Sequence, residues 1–213
     1  ALDTVIHSYA DGLSMTFAAL IAQAIDRPAA SATGMDYGYD QTNDDGIELV
    51  YSCVTAKGRE GVDRFTVGKQ AFSAELEFSL AVVAGTDVGN FGFRKVEALA
   101  ADLHAYDEMA GLFPISGDIK IQTIINNAST VTTDTTANWG NTEVHSLKVL
   151  VDKAGAVTYQ IDGAAPSTTA AFSFDAGEVV TPFLSFLQAS GAQTGALVLR
   201  KFTVESDNGS MEA

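Results

Sequence analysis

The most constraining feature of this chain is a period of two in its apolar residues. Residues 72–80 (FSAELEFSL) put Phe72, Ala74, Leu76, Phe78 and Leu80 on one side, and Glu75, Glu77 and Ser79 on the other. Extended side chains alternate between faces, so this segment is a strand with one buried and one wet face. Residues 47–54, 88–96, 118–125, 172–174, 179–187 and 196–204 read as further strands. Residues 130–136 (TVTTDTT) are β-branched and polar, as suits an exposed strand. The clearest unit is a pair of β-rich runs, 144–152 and 156–162, joined by Lys153, Ala154 and Gly155. A short glycine-containing joint between such runs is a hairpin, and Asp162-Gly163 makes a second tight turn. Pro182 cannot donate to a ladder, so its strand is expected at an edge or a bulge. About ten short strands with Gly, Asn and Asp turns specify an all-β antiparallel sandwich or jelly roll over residues 46–205. Leu76, Phe78, Leu80, Val149, Val151, Ile161, Phe183, Leu197 and Leu199 are its expected interior.

The ends have a different texture. Residues 13–25 carry Phe17, Leu20, Ile21 and Ile25 at helical spacing, with Ser14 as a cap and Arg27-Pro28 as a stop. Residues 29–46 are small, acidic and Gly/Tyr-rich, which reads as an irregular connection. The expectation is an N-terminal arm, 1–45, containing a short helix, and a C-terminal tail, 206–213. An isolated short helix is marginal in water, so Phe17, Leu20, Ile21 and Ile25 would anchor the arm on a neighbouring subunit. Leu99, Leu103, Tyr106 and Met109 also recur at helical spacing, favouring a helix over 96–112. The chain opens on Ala1, consistent with Met removal, signal removal or proteolytic maturation. No run approaches the roughly 20 apolar residues needed to cross a bilayer, and none has the basic flank of a secretory signal.

Composition narrows the partners. Of 213 residues, 46% are hydrophobic and 18% charged, which is enough apolar surface to form a core and excludes a disordered tail. Lys and Arg number 12 against 27 Asp and Glu, a net charge of −15. Such a surface repels phosphate backbones and anionic headgroups, so neither nucleic acid nor membrane is an expected partner.

No catalytic set emerges. Cys53 is the single cysteine, which excludes an internal disulfide, and in an apolar strand it reads as a buried inert thiol. His7, His104 and His145 are scattered, so neither a zinc site nor a nucleophilic triad forms from the sequence. His145 opens a strand and suits a sheet edge or the core. Glu75 and Glu77 share a face, but charges are what a wet face carries. Asp175 and Glu178 flank a turn. Asp36, Asp40, Asn43, Asp44 and Asp45 crowd one loop with the oxygen ligands calcium prefers. Asp45 stands where an EF-hand needs glycine, so the plainer reading is a solvated acidic loop with no cofactor. No phosphate-cradling glycine motif occurs.

Two stretches carry a resemblance. HSLKVLVDKAGAVTYQIDGAAP (145–166) and EVVTPFLSFLQASGAQTGALVLRKFTVE (178–205) are similar to the hairpin and closing strands of concanavalin A-like and laminin-G-like sandwiches. Residues 91–95 (FGFRK), 172–178 (FSFDAGE) and Pro182-Phe183 resemble tailed-bacteriophage virion proteins built on that sandwich. Glycosidases of the laminarinase type carry E-x-D-x-x-E on one strand. Here Leu76 and Phe78-Ser79 stand where two of those carboxylates belong, so no enzyme is expected. The resemblance implies a structural virion protein, a capsid decoration or cement protein on the capsid exterior, acting as a homo-oligomer with other virion proteins. The alternative is a non-catalytic carbohydrate-binding module with Trp139 stacking on a sugar.

Overall fold

The computed structural model describes residues 4–7, 13–19, 29–37, 40–41, 45–54, 60–62, 64–84, 86, 88–98, 100, 103–188, 193–194 and 197–207. In chain order the strands are β1 (Thr4–His7), β2 (Leu13–Ala19), β3 (Ala29–Ser31), β4 (Gly34–Tyr37), β5 (Asp40–Gln41) and β6 (Asp45–Val54). There follow β7 (Glu60–Val62), β8 (Phe65–Thr66), β9 (Phe72–Leu80), β10 (Val88–Lys95), β11 (Met109–Ile115) and β12 (Asp118–Ile124). The last six are β13 (Val131–Asn138), β14 (Val144–Val151), β15 (Val157–Ile161), β16 (Val179–Gln188), β17 (Gln193–Thr194) and β18 (Leu197–Ser206). One sheet has ten strands, ordered β1-β2-β6-β16-β10-β11-β12-β13, with β7 added to β6 and β8 to β16. The other has six, ordered β15-β14-β9-β18-β4-β3, and β17 pairs with β5. Every pairing is antiparallel. Two such sheets face to face form the expected sandwich.

Alternation sets the interior. On β9, Phe72, Ala74, Leu76, Phe78 and Leu80 all lie within 3% of full burial, and they meet Phe91 and Phe93 of β10 in the main core. Phe78 stacks on Phe113 at 5.6 Å, and Phe72 meets Phe93 edge-on at 4.9 Å. The hairpin forms as expected, with Leu147 opposite Ile161 and Val151 opposite Val157. Asp162 and Gly163 both have positive φ, 51° and 80°, as a two-residue primed turn requires. Leu197, Leu199, Val149 and Val151 are inside as expected.

Three local expectations are corrected. Leu13–Ala19 is not a helix but strand β2, pairing residue by residue with β6 from Cys53 to Ile47. Phe17 thus lies in a strand, while Leu20, Ile21 and Ile25 fall outside the described residues. The 29–46 connection contains β3 and β4, a hairpin laid on the edge of the six-stranded sheet. Local spacing lost to sheet pairing in both stretches.

The second correction concerns residues 96–112. Among the described residues of that stretch only Leu103–Ala105 is helical, as one 3₁₀ turn, and Met109 begins β11. Leu103, Tyr106 and Met109 recur because they pack with Ile124 and Phe183 in a second, smaller core. That core lies on the outer face of the ten-stranded sheet, beneath a strap whose described residues are 96–98, 100 and 103–108. Phe183 is therefore buried, but outside the main core.

Third, Pro182 lies in a central strand between β10 and β6. It is tolerated because β16 changes partner there: Val179 and Val180 pair with β8, and pairing with β6 begins at Phe183. The missing N–H falls at the gap between two partners.

Candidate functional site

The outer face of the ten-stranded sheet is where the polar chemistry collects. Strands β10 and β16 send Phe91, Phe93, Val180, Leu184 and Phe186 inward. Alternation then turns Asn90, Arg94, Thr181 and Ser185 outward, and all four are at most 3% exposed. Register places Asn90 opposite Ser185, and Ser185 opposite Glu48 of β6. This makes a polar row across three adjacent strands.

Arg94 and Glu48 anchor one end. The Arg94 Nε donates to Glu48 Oε1 at 2.6 Å, and its Nη1 donates to the Lys95 carbonyl at 2.9 Å. The Tyr106 hydroxyl donates to the other Glu48 oxygen, and the Arg94 guanidinium stacks 4.5 Å over the Tyr106 ring. Burial pushes the Glu48 carboxyl up from its ordinary range, opposed by Arg94 and Tyr106. Burial and the neighbouring Glu48 likewise push the Tyr106 phenol up. The triad pins the strap onto the sheet, because Tyr106 sits in the strap and both its partners sit in strands.

The next row is nearly bare. Gly92 and Gly111 are register partners, and Gly111 in turn faces Gln122. A Cβ on Gly111 would stand 2.2 Å from Asn90 Oδ1 and 2.3 Å from the Phe91 carbonyl. Glycine there lets the Asn90 amide lie over the strand, where its Nδ2 donates to the Gln122 carbonyl at 3.3 Å. Three buried atoms on this face have no hydrogen-bond partner: Asn90 Oδ1, Gln122 Oε1 and Ser185 Oγ. Each orphaned buried polar atom costs about 1–3 kcal/mol.

A second polar group closes the end of the same sheet. Lys95 Nζ binds Asp107 and, at 3.2 Å, Glu178 Oε1. These hydrogen bonds raise the lysine above its usual range. Glu108 is 2% exposed, and burial together with Glu178 raises its carboxyl to about 8. Glu108 Oε2 and Glu178 Oε2 each lack a donor. A hydrogen bond between the two carboxyls requires Glu108 to keep its proton.

Apart from Glu178, the residues singled out from sequence lie elsewhere. Trp139 is 2% exposed, donates from Nε1 to the Glu143 carbonyl at 3.2 Å, and packs 4.5 Å from Phe78 and 4.7 Å from His145. Its expected sugar-stacking role is corrected: the ring closes one end of the sandwich. His145 opens β14, bonded to Asp162 at 2.7 Å and Glu143 at 3.3 Å. Glu75 lies on the outer face of the six-stranded sheet beside Ser146 at 3.0 Å and Lys201 at 3.5 Å, which is an ordinary wet face. A groove of about 520 Å³ crosses that face between Ser73, Lys148, Leu150 and Glu205. Asp175 and Glu178 bracket a turn as expected, through a 3.1 Å backbone bond. Cys53 is in β6, and Asp36, Asp40 and Asp45 fall in β4, β5 and β6, with Asp44 outside the described residues. No group of three metal-binding side chains occurs among the described residues. No described helix is long and apolar enough to cross a membrane.

Sequence reasoning missed Glu48, Asn90, Arg94, Gln122 and Ser185. The available signal was an isolated polar residue on the face of β6, β10, β12 and β16 opposite their Phe, Leu and Ile positions.

No protein-family profile matches the sequence, and no curated protein matches it. Solved structures do. An alginate lyase from Pseudomonas aeruginosa superposes with a TM-score of 0.58 at 12% identity, covering 86% of this chain and 87% of that one. Carbohydrate-binding module CBM66 from Bacillus subtilis gives 0.54 at 10% identity, covering 89% and 94%. The carbohydrate recognition domain of Emp47p gives 0.56 at 12% identity, covering 92% and 88%. At these identities the likeness is one of fold: the chain is an antiparallel jelly-roll sandwich of the concanavalin A-like kind.

Proposed function

We propose that this chain is a non-catalytic carbohydrate-binding sandwich. The observation that carries this reading is the recurrence of carbohydrate-binding and carbohydrate-recognition sandwiches among similar folds. Alginate lyases share the fold too. Against turnover, the buried carboxyl and phenol on the outer face of the ten-stranded sheet are locked to Arg94 and to each other. Screening the whole chain against immobilised polysaccharides tests the proposal. Retention of no polysaccharide at all would refute it.

A second reading, a homo-oligomeric capsid decoration protein on a bacteriophage exterior, draws on the net charge of −15, which suits an outer shell surface better than a DNA-lining one. Co-sedimentation with capsids would test it.

A further inference from the structure

Resting on the carbohydrate reading, we infer that the glycan lies in the groove on the outer face of the six-stranded sheet, as a short run of uncharged sugar residues. The groove is built by register. Leu150 of β14 stands beside Thr158 of β15 and Ser73 of β9, and Ser73 stands beside Glu205 of β18. Four adjacent strands thus set a hydroxyl, an aliphatic side chain, a second hydroxyl and a carboxylate in one row. The neighbouring row, two residues along each strand, runs Gln160, Lys148, Glu75 and Thr203. Alternation turns both rows outward, because Phe72, Ala74, Val149, Val151 and Tyr159 of the same strands fill the main core.

This groove can be entered from solvent. Its volume is about 520 Å³, within the range of small-ligand clefts. Thr158 is exposed, the Glu205 side chain is 70% exposed and that of Lys148 21%. Hydrogen bonds hold its borders. On one side Ala156 N–H donates to Asp152 Oδ1 at 2.9 Å, and on the other Asp207 N–H donates to the Ala71 carbonyl at 3.0 Å.

The side chains match what a sugar offers, which is aliphatic C–H faces and a rim of hydroxyls that both donate and accept. Leu150 is the aliphatic floor. Ser73 and Thr158 can donate or accept, Lys148 donates and Glu205 accepts. A few placed polar groups beside an apolar floor are how such clefts fix orientation. The charged groups beside Leu150 are paired with one another: Lys148 lies 3.2 Å from Glu205 and 4.0 Å from Glu75, and Lys201 lies 3.5 Å from Glu75. A ligand that brought its own charge would have to break one of these pairs, whereas hydroxyls bridge to them without doing so. Phe72 is the aromatic residue of the lining, and at 3% exposure it offers no ring to stack on. Affinity therefore rests on hydrogen bonds, which single substitutions can remove.

The test runs the full chain on native gels containing a β-1,3-glucan, a mannan or a xylan, with alginate and chitosan as charged counterparts. The expected result is retardation by at least one neutral glycan. Titration with a hexasaccharide of that glycan should move the backbone amide resonances of Ser73, Lys148, Leu150 and Thr158. Lys148→Ala and Thr158→Arg should each weaken binding about tenfold, while Lys120→Ala on the other sheet leaves it unchanged. The resonance shifts need no substitution, so they decide the question if a variant fails to fold. A neutral glycan retained equally by both groove variants, with its shifts on the ten-stranded sheet, overturns the groove and leaves the carbohydrate reading standing. Retardation by alginate or chitosan alone overturns the uncharged ligand. Retardation by none of the five overturns both the inference and the reading beneath it.

Discussion

Glu48 and Arg94 face each other with 0% and 3% of their surfaces exposed, so neither charge can be removed without exposing the other to a dry environment. Arg94→Leu should cost about 3–5 kcal/mol in urea unfolding, because a buried carboxylate is left unpaired. Adding Glu48→Leu should recover much of that loss, since two apolar side chains replace a desolvated pair. A double variant no more stable than the single one would show that the pair is not the source. Gly111→Ala tests the neighbouring row. Its Cβ would meet Asn90 Oδ1 at 2.2 Å and a backbone carbonyl at 2.3 Å, so the amide must move and the strands must part. The expected outcome is a loss of about 1–3 kcal/mol in urea unfolding. At this scale the sequence was half legible. Alternation in FSAELEFSL specified which face of β9 is buried, because that strand has one apolar and one wet side. It could not mark Asn90 or Gln122 as special, since their burial arises from strands and a strap far away in the chain.

The strap is the element whose behaviour should depend most on pH. Burial and Glu178 raise Glu108 to about 8 from an ordinary value of 4.5, so the folded chain holds a proton that the unfolded chain releases. Stability must then fall as pH rises from about 5 to about 8, and level off above that. Glu108→Gln keeps a donor for Glu178 without titrating, and should flatten the urea midpoint across that window. His145 adds in the same direction. Partial burial pulls its imidazole down, but hydrogen bonds to Asp162 and Glu143 outweigh this, and the net shift is upward. Its contribution is complete below the unfolded histidine value and fades as pH passes the folded one. His145→Gln, measured beside Glu108→Gln, separates the two. Elements were legible wherever local and tertiary preferences agreed, as in the hairpin that turns at Asp162-Gly163. They were misread where apolar spacing near 3.6 arose from a strap crossing a sheet, as at Leu103, Tyr106 and Met109. They were misread again where helix formers pair as β2, because sheet partners 28 to 40 residues away outweigh local propensity.

For the molecule as a whole, the charge of −15 is a self-repulsion that counter-ions relieve. Raising NaCl from roughly 20 to 300 mM should therefore raise the melting temperature, whereas a fall would mean that surface ion pairs dominate. Removing residues 1–45 takes away β2, which pairs along β6 from Leu13 to Ala19, and β3–β4 from the other sheet. The shortened chain should melt lower and aggregate; an unchanged melting point would show that those strands contribute nothing to cohesion. The opposite border of the ten-stranded sheet is finished differently. Strand β13 has a register shift against β12 between Asp118 and Lys120, and Thr136 adopts a φ of 65°. The Thr136 N–H is already taken by Asp134 at 2.7 Å, and Ser167 Oγ donates to the Thr135 carbonyl at 3.2 Å. A strand arriving from another molecule would find the ladder out of phase and two of its rungs occupied. Polymerisation by edge addition has no template at this border, so crowding many copies together should yield a solution and not a fibre.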